Sequence, residues 1–166
     1  FPMGHEARES LRQLGRRSRT RVLSFINIVG SGMKGGPFEQ DLSDMNASLT
    51  AMRIREHPGV IVGVKTAHYR GPEWDAVDRA VEAGNLAQVP VMVDFGNFLA
   101  ERPYEDLVLK HLRPGDISTH TYLGAAPTLD LMRRSRVGHQ RERLARNPLS
   151  GAKYSDALKN CFALRL

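Results

Sequence analysis

The sequence predicts an α/β chain built on a parallel sheet, and three observations carry that prediction. Short apolar runs recur: Val60-Ile61-Val62-Gly63-Val64, Val91-Met92-Val93 and Ile117-Ser118-Thr119. The stretches between them have helical spacing, and strand followed by helix, repeated, is the pattern of a parallel sheet. Each run stops at a residue with chemistry, Lys65, Asp94 and His120, at intervals of 29 and 26 residues. In such sheets and barrels the working residues sit at the carboxyl ends of the strands, so these three are expected to converge. The fold class is a partial (β/α)₈ TIM barrel of about four βα units, followed by an irregular or helical basic tail. A complete barrel takes about 250 residues; the 166 here correspond to part of one.

Residues 6–17 suit a helix end, with Leu11 and Leu14 on one face and arginines complementing the dipole. Arg21 to Val29 is the first strand, rich in β-branched and aromatic residues. The loop Gly30-Ser31-Gly32-Met33-Lys34-Gly35 contains G-x-G-x-x-G after that strand. A dinucleotide site also needs a helix opening in the loop and an acid ending the next strand. Pro37 and Phe38 intervene here, and the next strand ends in Lys65, so a loop over the site is the better expectation.

A helix is expected over 48–57, with Leu49, Met52 and Ile54 inward and His57-Pro58-Gly59 ending it. Strand 60–64 is apolar without alternation, as when both faces are covered. Trp74, Val77, Ala80 and Val81 mark the next helix, closed by Ala83-Gly84-Asn85. Strand 90–93 leads to Asp94. Pro103 opens a further helix with Leu107, Val108 and Leu112 on its apolar side. His57 and His111 are expected at the surface. Arg113-Pro114-Gly115-Asp116 is a turn, and strand 116–119 delivers His120.

Past Asp130 the pattern stops. Residues 131–166 carry nine Lys/Arg against two acids, so the net charge of +6 belongs to this tail. The expected division is residues 1–130 as barrel and 131–166 as basic tail, in which 152–163 could form a helix. One cysteine, Cys161, allows no internal disulfide and fits a reducing cytoplasm. No apolar run approaches the ~18 residues of a membrane span.

Lys65 directly follows buried-type residues, where an ammonium is costly without a partner. Burial favours the neutral amine. Such an amine can form a Schiff base or take up carbon dioxide as a carbamate that bridges two metal ions. The lysine could equally be paired with a nearby acid such as Asp94. Asp94 could be a metal ligand, a base or that partner. His120 could bind metal through one ring nitrogen, with the other held by an acceptor. His68, three residues past Lys65, could touch substrate.

The stretches IVGVKTAHYRGPEWDAVDRAVEAG, VPVMVDFGNF and LRPGDISTHTYLG, with TRVLSFINIVGSGMKGG before them, resemble the amidohydrolase superfamily. The nearest branch is the amidohydrolase/deacetylase-type metallohydrolases, relatives of dihydroorotase and D-aminoacylase. The resemblance spans roughly residues 16–130. It implies a (β/α)₈ barrel with one or two divalent metals, usually zinc, acting on an amide or ester. It places Lys65 on the carboxylated, metal-bridging lysine and His120 on a metal-binding histidine. Asp94 stands where most relatives have another metal-binding histidine. The family's His-x-His pair and its aspartate base have no counterpart in the sequence, so no catalytic set is complete here and the chain alone is expected to be inactive.

The implied substrate is a small acylated amine or ester, with no membrane partner. Two other outcomes stay open: a Schiff-base-lysine barrel of aldolase type, and a non-catalytic remnant whose basic tail binds anions or nucleic acid, the nucleic acid being the less favoured partner. A sheet of about four strands with open edges is also expected to self-associate.

Overall fold

The computed structural model of the chain describes Gly4, residues 19–94 and residues 99–120. The expected helix over 6–17, the arginines before Arg19, the loop after His120 and the tail 131–166 lie outside the described residues.

Four parallel strands form one sheet in sequence order: β1 (Ser24–Asn27), β2 (Ile61–Ala67), β3 (Val91–Asp94) and β4 (Ile117–Ser118). Helix α1 (Ala47–Glu56) connects the first pair and α2 (Asp75–Ala87) the second. Between β3 and β4 a single α turn, Tyr104–Asp106, runs on as a π turn over Leu107–His111, closed by Leu112 N–H donating to the Leu107 carbonyl at 2.9 Å. Parallel strands joined by helical crossovers of one hand, each beside its predecessor, put every helix on the same side of the sheet. That is a barrel segment; a doubly wound sheet would reverse its strand order.

The two sheet faces differ. Register pairs Ile26 with Val64, Val64 with Val91 and Thr66 with Val93, and all five side chains on this helix-covered face are buried. On the other face Asn27 stands beside Lys65, Lys65 beside Met92 and Ala67 beside Asp94. Asn27 and Ala67 are buried there, Asp94 is nearly so, and Lys65 and Met92 are half-buried. Within β2 itself, Ile61 and Gly63 on the Lys65 face and Val64 on the helix-covered face are buried, so the expectation that strand 60–64 is covered on both faces holds up to Lys65.

Helix α2 approaches the sheet through small residues: Ala76, Ala80 and Ala83 are buried. A Cβ at Gly84 would come within 2.9 Å of both the Val89 carbonyl oxygen and Val91 Cγ2, so the close approach requires glycine there. The helix ends later than the Ala-Gly-Asn triplet suggests, at Ala87, where Gln88 takes the left-handed capping conformation.

Helix α1 begins at Asn46, whose side chain accepts from Leu49 N–H at 2.9 Å. Its buried stripe is Ala47, Thr50, Ala51 and Ile54, and the stem of Arg53 is buried beside it. Leu49 and Met52, expected inward, are 41% and 42% exposed. Three of the four stripe residues, Ala47, Thr50 and Ala51, are small, which lets the helix pack closely. Leu49 and Met52 are turned to the solvent side, whereas Ile54, also expected inward, is buried.

Candidate functional site

The carboxyl ends of the strands bring the predicted residues together. Lys65 lies within β2, Asp94 is the last residue of β3, and His120 follows β4 by two residues. Thr119 N–H donates to the Val93 carbonyl at 3.0 Å, which keeps the chain beside β3 just before His120. Asp94 is the centre of the group. Its Oδ1 lies 2.6 Å from His120 Nε2, and its Oδ2 lies 3.6 Å from Lys65 Nζ and 3.9 Å from His68 Nε2. The Asp94 side chain is 10% exposed, whereas those of His120 and His68 are 40% and 47% exposed. A nearly buried carboxylate is thus ringed by nitrogens that reach water.

Both histidines adopt positive φ, 59° at His68 and 63° at His120. The left-handed conformation costs a non-glycine residue roughly 1–2 kcal/mol. The third non-glycine case among the described residues, Gln88, has an ordinary reason as a helix cap. The two histidines have none of that kind; each leaves a strand end by a sharp turn, as strained residues at working sites do.

The loop after β1 closes on His68. It does not open a helix in the manner of a dinucleotide site; Gly36–Gln40 forms a 3₁₀ turn. From that turn Glu39 is buried, and its Oε2 is 3.0 Å from His68 Nδ1. Gln40 Nε2 donates to the His68 carbonyl at 3.0 Å, and Gln40 Oε1 accepts from Arg70 N–H at 2.9 Å. Further along, Arg102 donates to the Tyr69 carbonyl at 2.9 Å, with its guanidinium over the rings of Tyr69 and Trp74. Desolvation in that pocket pushes the Arg102 guanidinium below its ordinary value.

Two buried polar atoms near this end have no hydrogen-bond partner among the described residues, Glu39 Oε1 and Asn27 Nδ2. Asn27 is beside Lys65 in the sheet register. Its carboxamide oxygen is used, accepting from Val29 N–H at 2.9 Å. Neither residue was picked out by sequence reasoning. Asn27, a polar residue inside an apolar strand, carried a signal of the same kind as Lys65; Glu39 carried none.

His111, expected at the surface, is stacked on Trp74 with centroids 4.0 Å apart and lies 2.6 Å from Asp78 Oδ1. It belongs to the helix layer, and only 17% of its side chain is exposed.

Among the described residues no three His, Cys, Asp or Glu side chains are grouped so as to hold a metal ion. Asp94 and His120 are closer, at 2.6 Å, than two ligands of a tetrahedral zinc, which stand ~3.4 Å apart. The state of Lys65 decides the rest. As an ammonium 3.6 Å from Asp94 it repels a cation from that carboxylate. As a carbamate it reverses its charge and adds oxygen donors to one carboxylate and one imidazole, a mixed set that suits a borderline divalent ion. The residues present fit a metal only in the second form.

No family model matches the chain. A deacetylase from Enterococcus faecalis (strain ATCC 700802 / V583) is 29% identical over 116 residues, which are 67% of this chain and 31% of that protein. The crystal structure of an adenine deaminase superposes with a TM-score of 0.59 at 25% identity, over 70% of this chain and 32% of the other. The crystal structure of a dihydroorotase superposes with a TM-score of 0.68 at 22% identity, over 80% of this chain and 41% of the other. The chain thus spans about a third of the length of the curated relative it matches.

Proposed function

With its resemblance to the amidohydrolase superfamily borne out in sequence and in fold, we propose that this chain forms part of the site of a metal-dependent hydrolase acting on amide or ester bonds. The observation that carries the proposal is the gathering of Lys65, His68 and His120 around the single carboxylate of Asp94, at the end of the sheet where parallel folds keep their chemistry.

Lys65, as its carbamate, with Asp94 and His120 would hold a divalent cation, for which zinc suits the donor set. When bound, such an ion acts as a Lewis acid toward the carbonyl of an acylated amine or ester. Asp94 anchors the group, being the least exposed of its members. His68 stands at the rim, half exposed, where a small substrate would meet it. The family's His-x-His pair and its base have no counterpart in this sequence, so turnover by this chain alone is not expected.

Among the described residues no helix is long and apolar enough to cross a membrane. A reducing cytoplasm suits the single cysteine and is part of the same proposal. So is self-association through β1 and β4, the outer strands of the described sheet.

The test is metal content. The chain is stripped with chelator, reloaded with zinc in bicarbonate, desalted and analysed for metal per chain. Wild type is expected to retain zinc, and Lys65→Ala, Asp94→Ala and His120→Ala to lose most of it. Wild-type retention that needs no bicarbonate and survives Lys65→Ala would overturn the role of the lysine.

A further inference from the structure

We propose that Glu39 is a positioning residue: it holds the His68 imidazole with the proton on Nδ1, so that a bare Nε2 faces the site as an acceptor for a substrate N–H. The role for substrate rests on the proposed amide-hydrolysing site; the positioning of His68 stands on its own geometry.

Glu39 and His68 come from different strand-end loops, 29 residues apart, and meet through Oε2 and Nδ1 at 3.0 Å. A carboxylate can only accept, so the ring nitrogen facing it carries the hydrogen. The hydrogen bond made by one ring nitrogen sets the state of the other. The neutral ring then has a lone pair at Nε2.

The burial of the two partners is unequal. The Glu39 side chain is 2% exposed and the His68 side chain 47%. Glu39 Oε1, also buried, has no hydrogen-bond partner among the described residues. Leaving such an atom unpaired works against stability. A residue kept for stability alone would be better replaced by an apolar one, so the carboxylate is there for what it does to His68.

The rest of the loop adds to the clamp. Gln40 donates to the His68 carbonyl at 3.0 Å, and its own oxygen accepts from Arg70 N–H at 2.9 Å. Successive residues of one turn thus hold the side chain and the backbone of His68, which keeps a φ of 59°.

The direction of Nε2 identifies the ligand chemistry. It lies 3.9 Å from Asp94 Oδ2, too far for a hydrogen bond between them. Two acceptors at that separation can share one donor placed at ordinary hydrogen-bond length from both. The N–H of an amide is such a donor, and an ester has none. The pair Glu39–His68 therefore favours amides over esters at this site.

The experiment reads the tautomer directly. The chain is labelled with ¹⁵N-histidine and stripped of metal, and long-range ¹H–¹⁵N spectra are recorded at ~pH 8.5, about two units above the ordinary histidine range. His68→Gln assigns the signal by its loss. The expected result is a protonated Nδ1 and a bare Nε2 at His68 in wild type, with loss of that preference in Glu39→Gln and Glu39→Ala. Acetamide, added as the simplest amide N–H donor, should shift Nε2 of His68 more than Nε2 of His57.

A proton on Nε2 in wild type, or on both nitrogens, overturns the proposal. So does an unchanged tautomer in both Glu39 variants. Equal acetamide shifts at His68 and His57 overturn the acceptor role. Zinc content measured on reloaded samples keeps the two proposals apart: a chain that binds no zinc but holds His68 as the Nδ1–H form loses the metal site and retains the positioning by Glu39.

Discussion

Two charged clusters sit at opposite ends of the sheet, and they are built to opposite rules. At the amino ends of β3 and β4, Asp116 is saturated. Its Oδ1 accepts from Val91 N–H and Arg113 Nη2, both at 2.8 Å, and its Oδ2 from Arg113 N–H at 2.8 Å and Nε at 3.0 Å. Arg113 goes on to the Val89 carbonyl at 3.0 Å and Asn85 Oδ1 at 2.5 Å. The Asp116 side chain is 1% exposed, and the cluster ties the end of α2 to both strands. At the carboxyl ends, Asp94 Oδ1 meets His120 at 2.6 Å, but Oδ2 has only Lys65 and His68 at 3.6 and 3.9 Å, outside ordinary hydrogen-bond range, and two histidines are held at positive φ. A buried carboxylate oxygen of Glu39 is left over there. The same residue types thus close the fold at one end and are left incompletely paired at the other, which is where the proposed site lies and where βα barrels keep their chemistry.

The largest expected effect tests the closed end. Asp116→Ala leaves a half-buried guanidinium and a buried strand N–H without their acceptor, and breaking such a pair costs about 3–5 kcal/mol. Guanidinium unfolding curves should show it as a large drop in midpoint. Asp94→Ala should cost about 1 kcal/mol or less, because Lys65 and His120 reach water once the carboxylate is gone. Equal losses in the two variants would mean that the carboxyl-end cluster is structural and that the contrast is false. Gln88→Gly is smaller again and of opposite sign. Its left-handed cap, φ 56°, suits glycine, and a gain of about 0.5–1 kcal/mol is expected, reduced by losing the Gln88 Nε2 bond to the Asn85 carbonyl.

The two ends were not equally legible in the sequence. Lys65, Asp94 and His120 could be read because each ends an apolar run, and strand ends in a parallel fold have one destination. The turn Arg113–Asp116 was legible as a turn, but its network was not, since Asn85, Val89 and Val91 lie 24 to 28 residues from Arg113 or 25 from Asp116. Glu39 was hidden for the same reason. An acid behind Pro37-Phe38 in a glycine-rich loop reads as solvated, and only the fold puts His68 over it. The inward face of α1 was legible in part: Ile54 is buried as expected, but hydrophobic size also pointed to Leu49 and Met52, whereas close packing selected Ala47 and Ala51. His111 reads as a surface residue until Trp74 and Asp78 are brought beside it.

The smallest effect concerns the rim just beyond His68, where the Tyr69 hydroxyl donates to Glu73 Oε2 at 2.8 Å. Desolvation, and then this bond to Glu73, raise the Tyr69 phenol above its ordinary range. The folded chain therefore holds that proton longer than the unfolded chain. Stability from this source is complete below about pH 10 and is lost as the pH rises through the folded value. Glu73 runs the other way. Its own backbone N–H, and then the Tyr69 hydroxyl, lower its carboxyl. Stability from Glu73 is present above the ordinary glutamate range, near pH 4.3, and is lost as the pH falls. Tyr69→Phe should abolish the alkaline slope and only reduce the acid one, because the larger cause at Glu73 is its own amide. Urea midpoints of the variant and wild type across pH 3–11 check this. An acid slope that vanished altogether would mean the phenol dominates at Glu73, and the rim would then be held as tightly as the Asp116 end.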